Sequence, residues 1–298
     1  MLRSPIDYPL TTIHESLLMN MHRAISTYLF RHSALGVHLL DQVANAGIGQ
    51  VEIYCDRGHF DYTNPTHVRE ITGWFSDSPV KIHSVHAPVS RDPQETTHHA
   101  VVSIAYLERQ RRQESMDEIK RALELAERVP FRFLIVHLGV PGEEHDLRKY
   151  DAALTSLEHL RLFAGQRGVE ILVENISNDL SSPARLLEFF RHTHLRDMRV
   201  CFVVGHAYLD GDVPEALNLL QTRIAAVHLH DTGGDWDDHR VPFEGVVPWK
   251  EVIPTLQHLA PEAAWVLEVR GEEPAPPNPA DLVRVFDRLE NVRSEPRT

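Results

Sequence analysis

The sequence predicts an α/β fold in the form of a single (β/α)8 barrel, and three observations carry that prediction. Short β-branched apolar runs alternate with longer segments of helical period along nearly the whole chain. Eight such runs can be counted, and no linker divides the alternation. No Gly-rich phosphate loop opens the first helix, as a doubly wound dinucleotide-binding sheet would require. A chain of 298 residues could hold two ordinary domains, but it also suits one barrel of this kind.

Residues 1–22 have no clean period and are expected to form an N-terminal arm, leaving 23–298 for the barrel. The predicted strands are AISTYLF (24–30), QVEIYC (50–55), VKIHSVHAP (80–88), FRFLIVHLG (131–139), VEILVENI (169–176), MRVCFVVGH (198–206), IAAVHLHD (224–231) and AWVLEVRG (264–271). Between them SALGVHLLDQVANAG (33–47), ESMDEIKRALELAERV (114–129) and DAALTSLEHLRLFAGQRG (151–168) repeat apolar residues every three or four positions, as amphipathic helices do. PADLVRVFDRLENV (279–292) closes the eighth unit, and the Pro-rich stretch 272–280 before it reads as a loop, because too little chain follows it to fold alone.

The composition, 42% hydrophobic and 24% charged, is that of a chain able to bury a large core. A formal net charge of −13 disfavours a broad nucleic-acid-binding surface. The charged run 108–121 reads as a solvated helix face. Cys55 and Cys201 lie in apolar runs and are expected to be buried free thiols. No apolar run approaches the roughly 18 residues of a membrane span, and residues 1–20 lack a signal-peptide core, so a cytoplasmic protein is expected.

In a parallel barrel the C-terminal strand ends converge on one face. Predicted strands three to eight place His86, His137, Glu174, His206, His228 and Glu268 there, and the loop GGDWDDHR adds Asp237 and His239. A lone histidine at such a place is ordinarily a hydrogen-bonded core residue. A ring of imidazoles and carboxylates carries desolvation and like-charge costs that a divalent cation relieves. The mixed nitrogen and oxygen donors suit Zn²⁺ or Mn²⁺.

The motifs VHAP (85–88), VHLG (136–139), VEN (173–175), VGHAYL (204–209), HLHD (228–231), DDH (237–239), PFEGVVPW (242–249) and LEV (267–269) resemble those of the xylose-isomerase-like, endonuclease-IV-type TIM-barrel superfamily. The resemblance implies one metal at the positions of Glu174, Val203, His228 and Glu268, which match the four ligands of the sugar isomerases and epimerases. In the endonuclease branch it implies further ligands at His86, His137, His206, Asp237 and His239. Val203 departs from the pattern, since it stands where the family carries an aspartate and cannot coordinate a cation.

The leading expectation is a metal-dependent isomerase or epimerase of a small sugar or sugar phosphate, acting through an enediolate with Glu174 and Glu268 as base and acid. His230 is a substrate-contact candidate. Arg270 either meets a substrate phosphate or forms a surface ion pair. Trp236 and Phe243 wall the pocket or merely pack, and Glu52 is a structural carboxylate or an interior one. Asn175 and Asp231 are expected to orient ligands by hydrogen bonds. The alternatives are a multi-metal phosphodiesterase at abasic DNA and a barrel whose activity Val203 has abolished. A homo-oligomer is open to either enzyme.

Overall fold

In the computed structural model, residues 23–92, 100–271 and 276–292 are described. The expected arm, 1–22, and part of the Pro-rich loop lie outside them. Eight parallel strands close into one barrel in sequence order: β1 Arg23–Ser26, β2 Gln50–Tyr54, β3 Lys81–His86, β4 Phe133–His137, β5 Glu170–Glu174, β6 Arg199–Val203, β7 Ile224–Leu229 and β8 Ala264–Leu267. Closure is made by β1 against β8, with Ile25 opposite Leu267. The predicted architecture is therefore the observed one.

Helices return the chain outside the barrel: α1 Val37–Asn45, α2 Pro65–Asp77, α3 Arg109–Leu123, α4 Leu147–Gly165, α5 Pro183–His192, α6 Val204–Asp210, α7 Val213–Leu220, α8 Trp249–Leu259 and α9 Pro279–Glu290. Several starts are fixed by side chains that accept the first free backbone N–H groups: Asn64 for α2, Asp146 for α4, Asp212 for α7 and Asn278 for α9. Arg23 at the foot of β1 pairs with Asp287 and Glu290, which ties α9 to the first strand.

Two apolar regions hold the fold together. The larger lies between strands and helices, and it buries Leu40, Phe60, Leu157, Phe189, Phe202, Leu256 and Phe286. The smaller fills the barrel axis with Phe133, Ile135, Leu172, Cys201 and Ala226. Both cysteines are free and buried. Among the described residues no helix is long and apolar enough to cross a membrane.

All eight strands are shorter than the sequence implies, and three of the early ends are instructive. The first ends at Ser26, whose hydroxyl accepts the Tyr28 N–H, and Thr27–Phe30 forms a 3-10 turn. The eighth stops at Leu267. The sixth stops at Val203, with consequences for the site.

Candidate metal centre

His86, His137 and Glu174 are the last residues of β3, β4 and β5, His228 is the fifth residue of β7, and Glu268 directly follows β8. Strand alternation turns all of them inward above the apolar axis. His206 is the exception to the strand-end expectation. At Val203 the Asn175 carboxamide takes both backbone groups, accepting the N–H at 2.8 Å and donating to the carbonyl at 3.0 Å. The chain turns there into α6, so His206 stands on a helical turn above the strand. Asp237 and His239 come from the loop between β7 and α8.

The polar side chains fall into three adjoining groups, each with ligand atoms within 4.8 Å of one another: His86, His137 and Glu174; Glu52, His228 and Glu268; and His206, His230, Asp237 and His239. Glu174 touches all three. Its Oε2 lies 3.2 Å from His86 Nε2 and 3.9 Å from His228 Nδ1, and its Oε1 lies 3.6 Å from His137 Nε2 and 3.7 Å from His206 Nδ1. Glu268 Oε2 is 3.1 Å from His228 Nδ1. Asp237 Oδ2 is 2.9 Å from His206 Nε2 and 3.1 Å from His239 Nε2.

Charge and burial oppose each other at Glu174, Asp237, His86 and His206. Burial pushes the Glu174 carboxyl up, but the His137 and His86 imidazoles outweigh it and hold it well below its ordinary value. Asp237 is likewise held low, burial being outweighed by His206 and His239. Burial would lower the His86 imidazole, yet Glu174 raises it to about 9. Asp237 raises His206 to about 9 in the same way. His230 is driven well below its usual value by burial and by the neighbouring His239.

The donor set fits divalent ions. His137 Nε2, His228 Nδ1, His230 Nε2, Glu174 Oε2, Glu268 Oε2 and Asp237 Oδ1 are buried and make no hydrogen bond. Orphaned polar atoms of this kind are rare because each costs about 1–3 kcal/mol, and more when charged. Six of them converging on one mouth are accounted for by cations that they would ligate.

Glu52 carries a role that strand pattern alone does not disclose. It is fully buried; its Oε2 accepts the Ser84 hydroxyl at 2.7 Å and the His228 Nε2–H at 3.0 Å. That hydrogen bond leaves His228 Nδ1 as the free nitrogen, facing Glu268 and Glu174. Glu52 thus sits behind the imidazole as a carboxylate that orients a ligand. Val203 pairs with His228 across β6 and β7 and, two residues beyond the inward Cys201, shares its face, so an apolar side chain stands beside His228.

Asn175 meets a candidate ligand only through its backbone carbonyl, which accepts from His206 Nδ1 at 2.8 Å, while its side chain holds the Val203 backbone. The Asp231 carboxylate does something else. It accepts from the N–H groups of Thr232, Phe243 and Val247 and from Trp249 Nε1, and so fastens the loop after β7 rather than a ligand ring. Phe243, at φ 77°, and His239, at φ 48°, hold left-handed conformations in this loop that cost non-glycine residues energy.

Beside the centre opens a cavity of about 970 Å³ lined by His32, Trp236, His239, Arg240 and Arg270. Trp236 is 57% exposed at its rim. Arg240 is held by Asp238, whereas among the described residues no carboxylate pairs with Arg270. His230 does not line this cavity; it is fully buried among His206, Asp237 and His239.

Fold and mouth together define the class: a closed parallel (β/α)8 barrel whose C-terminal face carries His and carboxylate groups consistent with divalent metal ions. The chain belongs to the Xylose isomerase-like TIM barrel family, whose model matches residues 40–290. The resemblance read from the strand-end motifs is borne out. The chain is 26% identical over 155 residues to the uncharacterized protein MJ1614 of Methanocaldococcus jannaschii, a match spanning 50% of this chain and 59% of that protein. Among solved structures it is similar to a D-tagatose 3-epimerase-like protein, with TM-score 0.72, 22% identity and coverage of 91% of this chain and 98% of that one. It is also similar to IOLI protein with a bound zinc atom, with TM-score 0.71, 14% identity and coverage of 91% and 96%. At these identities the likeness is one of fold.

Proposed function

We propose that this protein hydrolyses a phosphate ester of a small, sugar-like molecule with the help of two divalent ions at the barrel mouth. One observation carries the reading: the buried Glu174 carboxylate is shared by the His86–His137 pair and by His228, so two three-donor groups adjoin across one side chain. Paired ions a few ångströms apart would supply positive charge to phosphoryl oxygens and acidify water.

The residues do the rest by position. Glu52 accepts a hydrogen bond from His228 Nε2–H and so keeps its Nδ1 free towards Glu174 and Glu268. Glu174, with four imidazoles around it, stands where a ligand shared between the two groups would stand. Arg270 offers the cavity a guanidinium for an anionic group, and Trp236 offers an apolar wall for a sugar ring. The net charge of −13 favours a small substrate over a duplex.

Isomerisation or epimerisation of a hydroxy-carbonyl sugar is the second reading. It is favoured by Glu174 and Glu268 meeting at His228 Nδ1, 3.9 and 3.1 Å away, as two carboxylates would on either side of a substrate carbon.

The test offers Zn²⁺- or Mn²⁺-loaded protein a panel of sugar phosphates, bis(p-nitrophenyl) phosphate and an abasic-site oligonucleotide, with ketoses, aldoses and hydroxypyruvate in D2O alongside. Cleavage of the small esters is expected, falling by about 100-fold or more in His137→Ala. Deuterium uptake beside the carbonyl with no ester cleaved would replace this reading by the second. Preferential nicking of the oligonucleotide would overturn the substrate class.

A further inference from the structure

We propose that His230 is the fourth protein ligand of an ion held with His206, Asp237 and His239, and that this ion fastens the loop after β7 instead of meeting substrate. The inference rests on the mouth being a divalent-metal centre and is independent of the reaction assigned to it.

The ring nitrogens make the case. Nδ1 of His206, His230 and His239 each lies within hydrogen-bond distance of a backbone carbonyl: Asn175 at 2.8 Å, Asp231 at 3.2 Å and Glu268 at 2.9 Å. A carbonyl only accepts, so all three Nδ1 atoms carry the proton and each neutral ring keeps its lone pair on Nε2. Those three Nε2 atoms converge on one carboxylate, at 2.9 and 3.1 Å from Asp237 Oδ2 and 3.7 Å from Oδ1. Three lone pairs aimed at an anion repel it unless protons or a cation stand between them. A cation among the four donors turns each repulsion into a bond.

The spacing agrees. Ligands about 2.0–2.1 Å from a tetrahedral Zn²⁺ stand roughly 3.3–3.4 Å from one another. The Asp237 contacts, 2.9 to 3.7 Å, bracket that edge. His230 Nε2 and Asp237 Oδ1 are among the buried atoms with no hydrogen-bond partner. Space has also been kept for the ring: a Cβ at Gly205 would lie 2.1 Å from His230 Cε1, so a glycine is required where α6 passes over it.

Four protein donors fill a tetrahedral shell, whereas catalytic ions keep a position open. His86, His137 and Glu174, like Glu174, His228 and Glu268, offer only three. The four ligands come from α6, from the end of β7 and from the loop that carries Trp236 beside the cavity. An ion here joins all three and helps to hold His239 at its positive φ.

Co²⁺ titration of the whole protein, read by visible absorption, tests this, since tetrahedral Co²⁺ absorbs far more strongly than five- or six-coordinate Co²⁺. At least one tetrahedral ion is expected. His230→Asn should abolish its bands and weaken that site by about 10-fold or more while the remaining ions still bind. Hydrogen exchange over residues 232–243 should be slowed by Zn²⁺ in the wild type and unchanged by it in the variant. A folded His230→Asn protein with the wild-type spectrum and affinity overturns the proposal. So does a wild-type protein whose Co²⁺ is all five- or six-coordinate, a result that needs no variant to fold. Uptake of no divalent ion would instead overturn the metal-centre reading itself, and this inference with it.

Discussion

Two residues bear on how well His228 can hold an ion. Val203 sets an apolar side chain beside it on β6, where an additional carboxylate would complete the set with Glu174 and Glu268. Val203→Asp should raise the affinity of this site by about 10-fold or more, measured by competition with a chelator. An unchanged affinity would mean that position 203 does not face the ion. Glu52 acts from behind: Glu52→Gln removes the charge that keeps the imidazole oriented and basic, so affinity should fall by about 10–100-fold while the circular dichroism stays native. Retained affinity would reduce Glu52 to a packing role. The two positions differ in how far sequence discloses them. Val203 is visible as a break in an ordered set of motifs. Glu52 is one carboxylate in an apolar strand, and nothing local indicates that it meets His228, 176 residues away.

At the level of elements, the loop from β7 to α8 depends on Asp231. Its carboxylate accepts four donors: the N–H groups of Thr232, Phe243 and Val247, each at 2.9 Å, and Trp249 Nε1 at 2.7 Å. Asp231→Ala would orphan them in a buried place at about 1–3 kcal/mol apiece. At about 2–4 °C per kcal/mol for a domain of this size, the melting temperature should fall by roughly 10 °C or more. A fall of under about 2 °C would show that water replaces the carboxylate. The number and order of strands were legible because period two and period 3.6 differ over whole segments. Strand ends were not, because local capping decides them: Ser26 turns β1 into a 3-10 helix, and Asn175 takes Val203's backbone groups as β6 ends. The same local chemistry made Asp231, next to a ligand strand, look like a ligand's partner when it anchors a loop.

Across the whole molecule, parallel closure explains why so much of the mouth could be read from one sequence. Once eight strands point the same way, His86, His137, Glu174, His228 and Glu268 must meet, whatever their separation along the chain. Division into groups is not fixed that way, since it follows from which ring nitrogen each backbone carbonyl occupies, and so His230 read as a substrate contact. The protonation of those rings gives the molecule a pH dependence that ions should remove. In ion-free protein Glu174 raises His86 to about 9, and Asp237 raises His206 to about 9. Unfolded imidazoles titrate near 6.5. The stability from these two pairs is therefore fully present below about pH 6.5 and is lost as pH rises through about 9. Glu174 and Asp237, held below their ordinary values, stay ionised throughout that window. Chelator-treated protein should accordingly melt several degrees lower at pH 9 than at pH 6.5. Protein loaded with Zn²⁺ has no proton left to lose at those nitrogens, and its melting temperature should change little over the same range. The stabilisation conferred by Zn²⁺ should thus grow with pH, and a difference that shrinks instead would mean that His86 and His206 are neutral in the ion-free fold.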